Sequence, residues 1–143
     1  MFFDVIPMLY YADITTRYSR PLFASRVPAG FPSPAEDFIE GSLDLNRHLI
    51  EHPAATFFLR VSGDSMTGAG IYPDDLLIVD RSLTAGPNDI VIAVLHGELT
   101  VKRLVKEDSI WFLLAENPAY PRFELPEDAE IWGVVTNAIR DFR

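Results

Sequence analysis

Apolar and polar positions divide this chain near residue 55. After that point the apolar residues gather into short runs set apart by turn residues. The runs are Thr56–Ser62, Leu76–Asp80, Ile90–Leu95, Glu98–Lys106, Ile110–Ala115 and Ile131–Ile139, and each predicts a β-strand. Gly68-Ala69-Gly70, Pro73-Asp74-Asp75, Gly86-Pro87-Asn88-Asp89, His96-Gly97 and Asn117-Pro118 punctuate them. His96-Gly97 lies between two β-rich runs and predicts a tight hairpin, with Gly97 supplying a positive φ. One helix is predicted over residues 44–51. Ser42 or Asp44 caps it, Leu45 and Leu49 share a face, and Pro53 lies just beyond its end. The expected body is mostly β.

Before residue 35 the pattern is different. Pro7, Pro21, Pro28, Pro32 and Pro34 prevent a continuous helix and favour an extended arm. Phe2, Phe3, Val5, Ile6, Leu22 and Phe23 give that arm apolar residues to pack with. The expected organisation is an extended N-terminal arm over residues 1–34 and a β domain over residues 35–143. The arm is too short and too rich in proline for a helix-turn-helix module.

Composition narrows the function classes. The chain has 143 residues and 48% hydrophobic content, enough for one domain with a real core. It has no cysteine, which excludes disulfides, thiolate metal sites and cysteine nucleophiles. No run reaches the roughly 18 apolar residues of a membrane span. The apolar N-terminus lacks a basic start and carries Asp4 and Pro7, so it does not read as a secretion signal. A soluble cytoplasmic protein, with no membrane contact, is expected. The net charge of −9 argues against direct binding to DNA. That charge is uneven, because residues 1–30 hold three arginines against two acids while the remainder is strongly acidic.

Ser65 and Lys102 carry the candidate chemistry. Ser65 lies in the turn-like stretch Val61-Ser62-Gly63-Asp64-Ser65-Met66, directly after an apolar run. Lys102 lies inside the strand-like run Leu99-Thr100-Val101-Lys102-Arg103-Leu104-Val105. A serine hydroxyl is a weak nucleophile until a base takes its proton. A lysine does so only when neutral, the form that burial among apolar residues favours. Serines in turns and lysines in strands are common, so on the residues alone the bland reading stands beside the catalytic one.

Three other patterns are weaker. His48-Leu49-Ile50-Glu51-His52 matches the H-x-x-E-H zinc pattern, yet Pro53 follows at once and two solvent-facing histidines explain it as well. Gly63-Asp64-Ser65-Met66-Thr67 nearly matches a G-x-S-x-G elbow, but Thr67 replaces the last glycine and the alternating strands and helices are missing. Asp74, Asp75 and Asp80 fit turn chemistry better than a cation site. No metal and no cofactor is expected.

The order of several blocks adds a resemblance. Val61-Ser62-Gly63-Asp64-Ser65-Met66, Gly70-Ile71, Asp75 to Asp80, Asp89 to Ala93, and Glu98 to Leu104 together resemble the self-cleaving LexA/UmuD peptidase family. Gly30 to Ala35, Asp44-Leu45-Asn46 and His52 to Thr56 resemble its UmuD branch more closely than its LexA branch. The likeness runs from about residue 22 to residue 140. It implies a compact domain of twisted antiparallel sheets with one short helix. It also implies Ser65 as nucleophile, Lys102 as general base, the backbone amides of Asp64 and Ser65 as oxyanion hole, and Met66 lining the site. The substrate would be the chain's own arm at Ala29–Gly30. Pro28 precedes that bond where it restricts the arm, and Asn88 stands where the family commonly has glycine.

The resemblance further implies a homodimer that meets a RecA nucleoprotein filament, cuts its arm, and joins a UmuC-like Y-family DNA polymerase subunit in SOS translesion synthesis. Two rivals stand beside it. A type I signal peptidase would also use Ser-Met and a lysine, but needs a membrane anchor. A non-cleaving interaction module, or a regulator of a LexA-type repressor, would keep the fold without the reaction.

Overall fold

The computed structural model describes residues 5–12, 19–23 and 39–143. Over the described residues the protein is mostly β, built of antiparallel sheets with one short α-helix. It divides into two units, residues 13–53 and the remainder.

The larger unit holds an eight-stranded sheet in the order β1-β4-β5-β10-β6-β7-β8-β9. Its strands are β1 (Val5–Tyr11), β4 (Thr56–Val61), β5 (Leu76–Asp80), β6 (Ile90–Leu95), β7 (Glu98–Glu107), β8 (Ile110–Leu114), β9 (Phe123–Glu124) and β10 (Glu130–Ile139). All neighbours are antiparallel. The six strands expected from the apolar runs are therefore present, each within a residue of its expected ends. The C-terminal strand β10 slots between β5 and β6, so consecutive strands are parted by a segment far along the chain.

β6 explains its own uninterrupted apolar run. Ile92 belongs to a core with Leu59, Val61, Leu77, Val79 and Val101, while Val91, Ala93 and Leu95 belong to a second core with Leu104 and Leu113. Successive residues of a strand face opposite sides, so a strand buried on both faces has no polar side to show. Leu59, Leu77, Ile92 and Leu113 are fully buried.

The β6–β7 hairpin turns at His96 and Gly97, with φ of 51° and 78°. Two successive positive φ values make the turn whose twist matches the flanking strands, and glycine and histidine both tolerate them. Asn88 has φ 72°, a conformation that asparagine tolerates better than most residues. Its amide donates to Leu104 O at 2.7 Å, tying the turn before β6 to β7.

β1 lies in the part read as an arm, and it pairs along the sheet edge with β4, Val5 opposite Val61 and Tyr11 opposite Phe57. The register shifts between Ile6 and Tyr10. Pro7 falls in that interval, where an edge strand accommodates a residue without an N–H.

The smaller unit pairs β2 (Ser19–Phe23) with β3 (Ile39–Asp44), followed by α1 (Leu45–Leu49). Asp44 is the N-cap, its carboxylate accepting from Asn46 N at 3.1 Å. The helix is shorter than the expected 44–51 because the backbone turns extended at Ile50, three residues before Pro53. His52 consequently lies beyond the helix while His48 lies on it, and both are exposed. They do not form the i, i+4 pair of a zinc helix. Among the described residues no cluster of three metal-ligating side chains occurs, and no helix is long and apolar enough to cross a membrane.

Candidate active site

β4 runs straight into the turn that carries Ser65, and β7, an interior strand between β6 and β8, carries Lys102. Lys102 stands opposite Val91 of β6. Its side chain is 3% exposed and Ser65 is 1% exposed, so both lie in the interior. Lys102 Nζ sits 3.2 Å from Ser65 Oγ across 37 positions of sequence. It also lies 2.9 Å from Thr100 Oγ1 and 3.1 Å from Val101 O. A neutral amine has two N–H donors and one lone pair. Donating to Thr100 and Val101 would leave that lone pair for the Ser65 proton. The same three oxygens can also hold an ammonium, so the constellation supports both ends of a proton transfer.

Thr100 is the neighbour that pattern reading missed. It stands two residues before Lys102 and so on the same face of β7, which was available as a period-two relation.

The turn after Ser65 is held on several sides. Ala69 N donates to Met66 O at 3.0 Å, Gly70 N to Thr67 O at 3.0 Å, and Ile71 N to Met66 O at 3.2 Å. Gly68 N donates to Glu116 O at 2.6 Å, joining this turn to the loop after β8. Asn117 Nδ2 donates to Asp64 O at 2.9 Å, and Tyr120 Oη to Asp64 Oδ1 at 2.5 Å. Among the described residues, the backbone hydrogen bonds include none donated by the amides of Asp64 or Ser65. Met66 packs into the core with Leu59, Val61 and Ile71, and neither it nor Ser65 is among the residues that wall the cavity beside Lys102.

That cavity has a volume of about 440 Å³ and is lined by Leu95, His96, Lys102, Tyr120, Pro121, Phe123 and Pro126. It is mostly apolar, which suits an apolar stretch of peptide next to the amine. Ala29 and Gly30, with Pro28, lie outside the described residues.

Two of the three acidic residues that raised a cation reading, Asp75 and Asp80, are occupied otherwise. Asp75 is fully buried and takes a bidentate pair from Arg140, Nε to Oδ1 and Nη2 to Oδ2, each at 2.7 Å. Arg140 Nη2 also donates to Gly70 O, and Tyr72 N donates to Asp75 Oδ2. Asp80 Oδ1 accepts from both the amide and the hydroxyl of Ser82. The Arg140 hydrogen bonds hold the Asp75 carboxyl below its usual range against the opposing effect of burial, with help from Tyr72 N–H.

A group depressed on folding stabilises fully above its unfolded value, about 3.9 for aspartate, and loses that contribution as pH falls through the depressed folded value. Melting temperature should therefore drop more steeply below about pH 4 in the parent than in Asp75→Asn. Parallel melting curves from pH 7 to pH 3 would show that the pair does not act this way.

A family model described as Peptidase S24-like matches residues 21–136, a span containing both Ser65 and Lys102. The chain belongs to the LexA/UmuD family of S24-like peptidases. SamA of Salmonella typhimurium is 52% identical over 123 residues, covering 86% of each chain. MucA of Escherichia coli is 44% identical over 125 residues, 85% of each. The LexA repressor of Pseudomonas chlororaphis is 40% identical over 118 residues, 80% of this chain and 58% of the repressor. For a LexA/UmuD-type peptidase, a buried serine and lysine in contact beside an apolar cavity are the natural place to look for chemistry.

Proposed function

We propose that this protein is a serine peptidase that cuts its own arm between Ala29 and Gly30. The observation that carries this reading is the 3.2 Å approach of Lys102 Nζ to Ser65 Oγ, both buried. In the proposed reaction the neutral amine takes the Ser65 proton as Oγ attacks the Ala29 carbonyl carbon. The developing oxyanion is held by the amides of Asp64 and Ser65. Collapse breaks the Ala29–Gly30 bond, the Lys102 ammonium returns its proton to the Gly30 nitrogen, and water then releases Ala29 from the serine ester. Residues 30–143 remain as the acidic body.

The family, together with the expected homodimer, favours stimulation by a RecA nucleoprotein filament. The shortened form would then serve a UmuC-like Y-family polymerase in SOS translesion synthesis. The acidic body agrees with contact to DNA through partners.

The test is incubation of the purified chain at about pH 9–10, where more of an amine base is neutral, followed by mass spectrometry. Fragments 1–29 and 30–143 should appear, and should be lost in Ser65→Ala and Lys102→Ala. An intact parent chain under these conditions, and also with RecA filament and ATP, would exclude the enzymatic reading.

A further inference from the structure

Asp64 is gripped twice by one loop. Asn117 Nδ2 holds its backbone oxygen at 2.9 Å, and Tyr120 Oη holds its carboxylate at 2.5 Å, across 53 and 56 positions of sequence. The backbone oxygen matters more. Asp64 O belongs to the same planar peptide unit as the Ser65 N–H, and in a trans peptide these two groups point in opposite directions. The described residues contain no cis peptide. Fixing Asp64 O therefore fixes the direction of the Ser65 N–H, on the face away from Asn117. The peptide unit otherwise has one soft torsion on each side, and among the described residues the other backbone hydrogen bond to Asp64 O is a long one from Thr67 N at 3.4 Å.

Asn117 is itself pre-set. Its Oδ1 accepts from Ala119 N at 3.0 Å, which closes a turn of its own loop and leaves the amide nitrogen directed at Asp64. Tyr120 faces two ways, since its ring also walls the cavity beside Lys102. The loop that would touch a bound peptide is thus the loop that sets the Asp64–Ser65 peptide plane.

We propose that Asn117 and Tyr120 are positioning residues that aim the Ser65 amide at the developing oxyanion. This rests on the self-cleavage reading above. Donors of this kind act because they are already oriented when charge appears, and removal of one costs about 10²–10³ in rate. Releasing the plane without deleting the donor should cost less, about 10–100-fold for Asn117→Asp and several-fold for Tyr120→Phe. Asn117→Asp is nearly isosteric and keeps an oxygen that accepts from Ala119, but it replaces the donated bond with a carboxylate oxygen that repels Asp64 O. Tyr120→Phe keeps the cavity wall.

The experiment uses the full chain and two peptides spanning residues 24–29, one ending in an aldehyde and the other in the matching alcohol. The aldehyde adds to a serine and forms an oxyanion, whereas the alcohol reports ground-state binding alone. Asn117→Asp should slow self-cleavage and weaken inhibition by the aldehyde by similar factors. Inhibition by the alcohol and the melting temperature should stay close to the parent values. Equal weakening of both peptides, or cleavage at the parent rate, would overturn the inference while leaving self-cleavage intact. A parent chain that never cleaves would overturn the self-cleavage reading and this inference with it.

Discussion

Replacing Lys102 with methionine will slow self-cleavage by about 10³-fold or more and leave the melting temperature equal to or above that of the parent. The two halves of this result come from the same fact. Lys102 is 3% exposed, and its amine is surrounded by Ser65, Thr100 and Val101 oxygens in the protein interior. Burying an amine forfeits its hydration, a cost that hydrogen bonds offset only in part. Methionine has similar length and flexibility and carries no such cost. The hydroxyls of Ser65 and Thr100 can rotate to other partners, so the change leaves few groups stranded.

For activity the substitution removes the group that would take the Ser65 proton, and general bases contribute about 10²–10⁴-fold. Rates from fragment masses, read beside calorimetric melting, separate the possibilities. A variant that cleaves within about tenfold of the parent would place the base elsewhere. A fall of about 10 °C or more in melting temperature would make the lysine a structural strut.

How much of this was legible in the sequence follows from the range over which each signal acts. β6 and β7 are local, since apolar runs and a His96-Gly97 turn within one hairpin define them, and they were read to within a residue. The Ser65–Lys102 pair was legible only through its blocks of neighbouring sequence. Neither residue type is rare enough in its setting to identify itself. β3 and β9 were missed because one abuts a helix cap and the other has two residues among prolines, Pro121 and Pro126. The place of β10 between β5 and β6 was not readable either, because strand order is set by long-range packing and leaves no periodic trace. Asn117 announced a turn through Asn117-Pro118, which is true of its own loop. Its grip on Asp64 exists only once β7 and β8 have brought that loop beside the end of β4.

Gly68→Ala should be the most damaging of the single-methyl changes near the site. A Cβ at residue 68 would lie 2.5 Å from Glu116 O and 3.2 Å from Glu116 C, both backbone atoms that cannot swing aside. The same carbonyl accepts the Gly68 N–H at 2.6 Å, so the clash and the hydrogen bond compete for one atom. Glu116 cannot retreat easily, because its carboxylate pairs with Arg103 Nε at 2.5 Å and Arg103 also donates to Asn88 O. The turn carrying Ser65 must then move outward by several tenths of an ångström or more.

Forced repacking of this kind costs about 1–3 kcal/mol. The kinetic cost should be larger, since a misplacement near 1 Å costs about 10²-fold where geometry sets the rate. Asp64 is held by Asn117, the neighbour of Glu116, so the displacement also pulls on the peptide plane that carries the Ser65 amide. Gly133→Ala is the proper control. Its Cβ would meet the Val79 side chain at 2.6 Å, a comparable crowding in the core with no backbone link to the Ser65 turn. If the two variants lose similar stability but Gly68→Ala loses cleavage at least tenfold further, the close approach at Glu116 is setting the geometry of the site. Equal losses of cleavage would mean that both act only through the folded population.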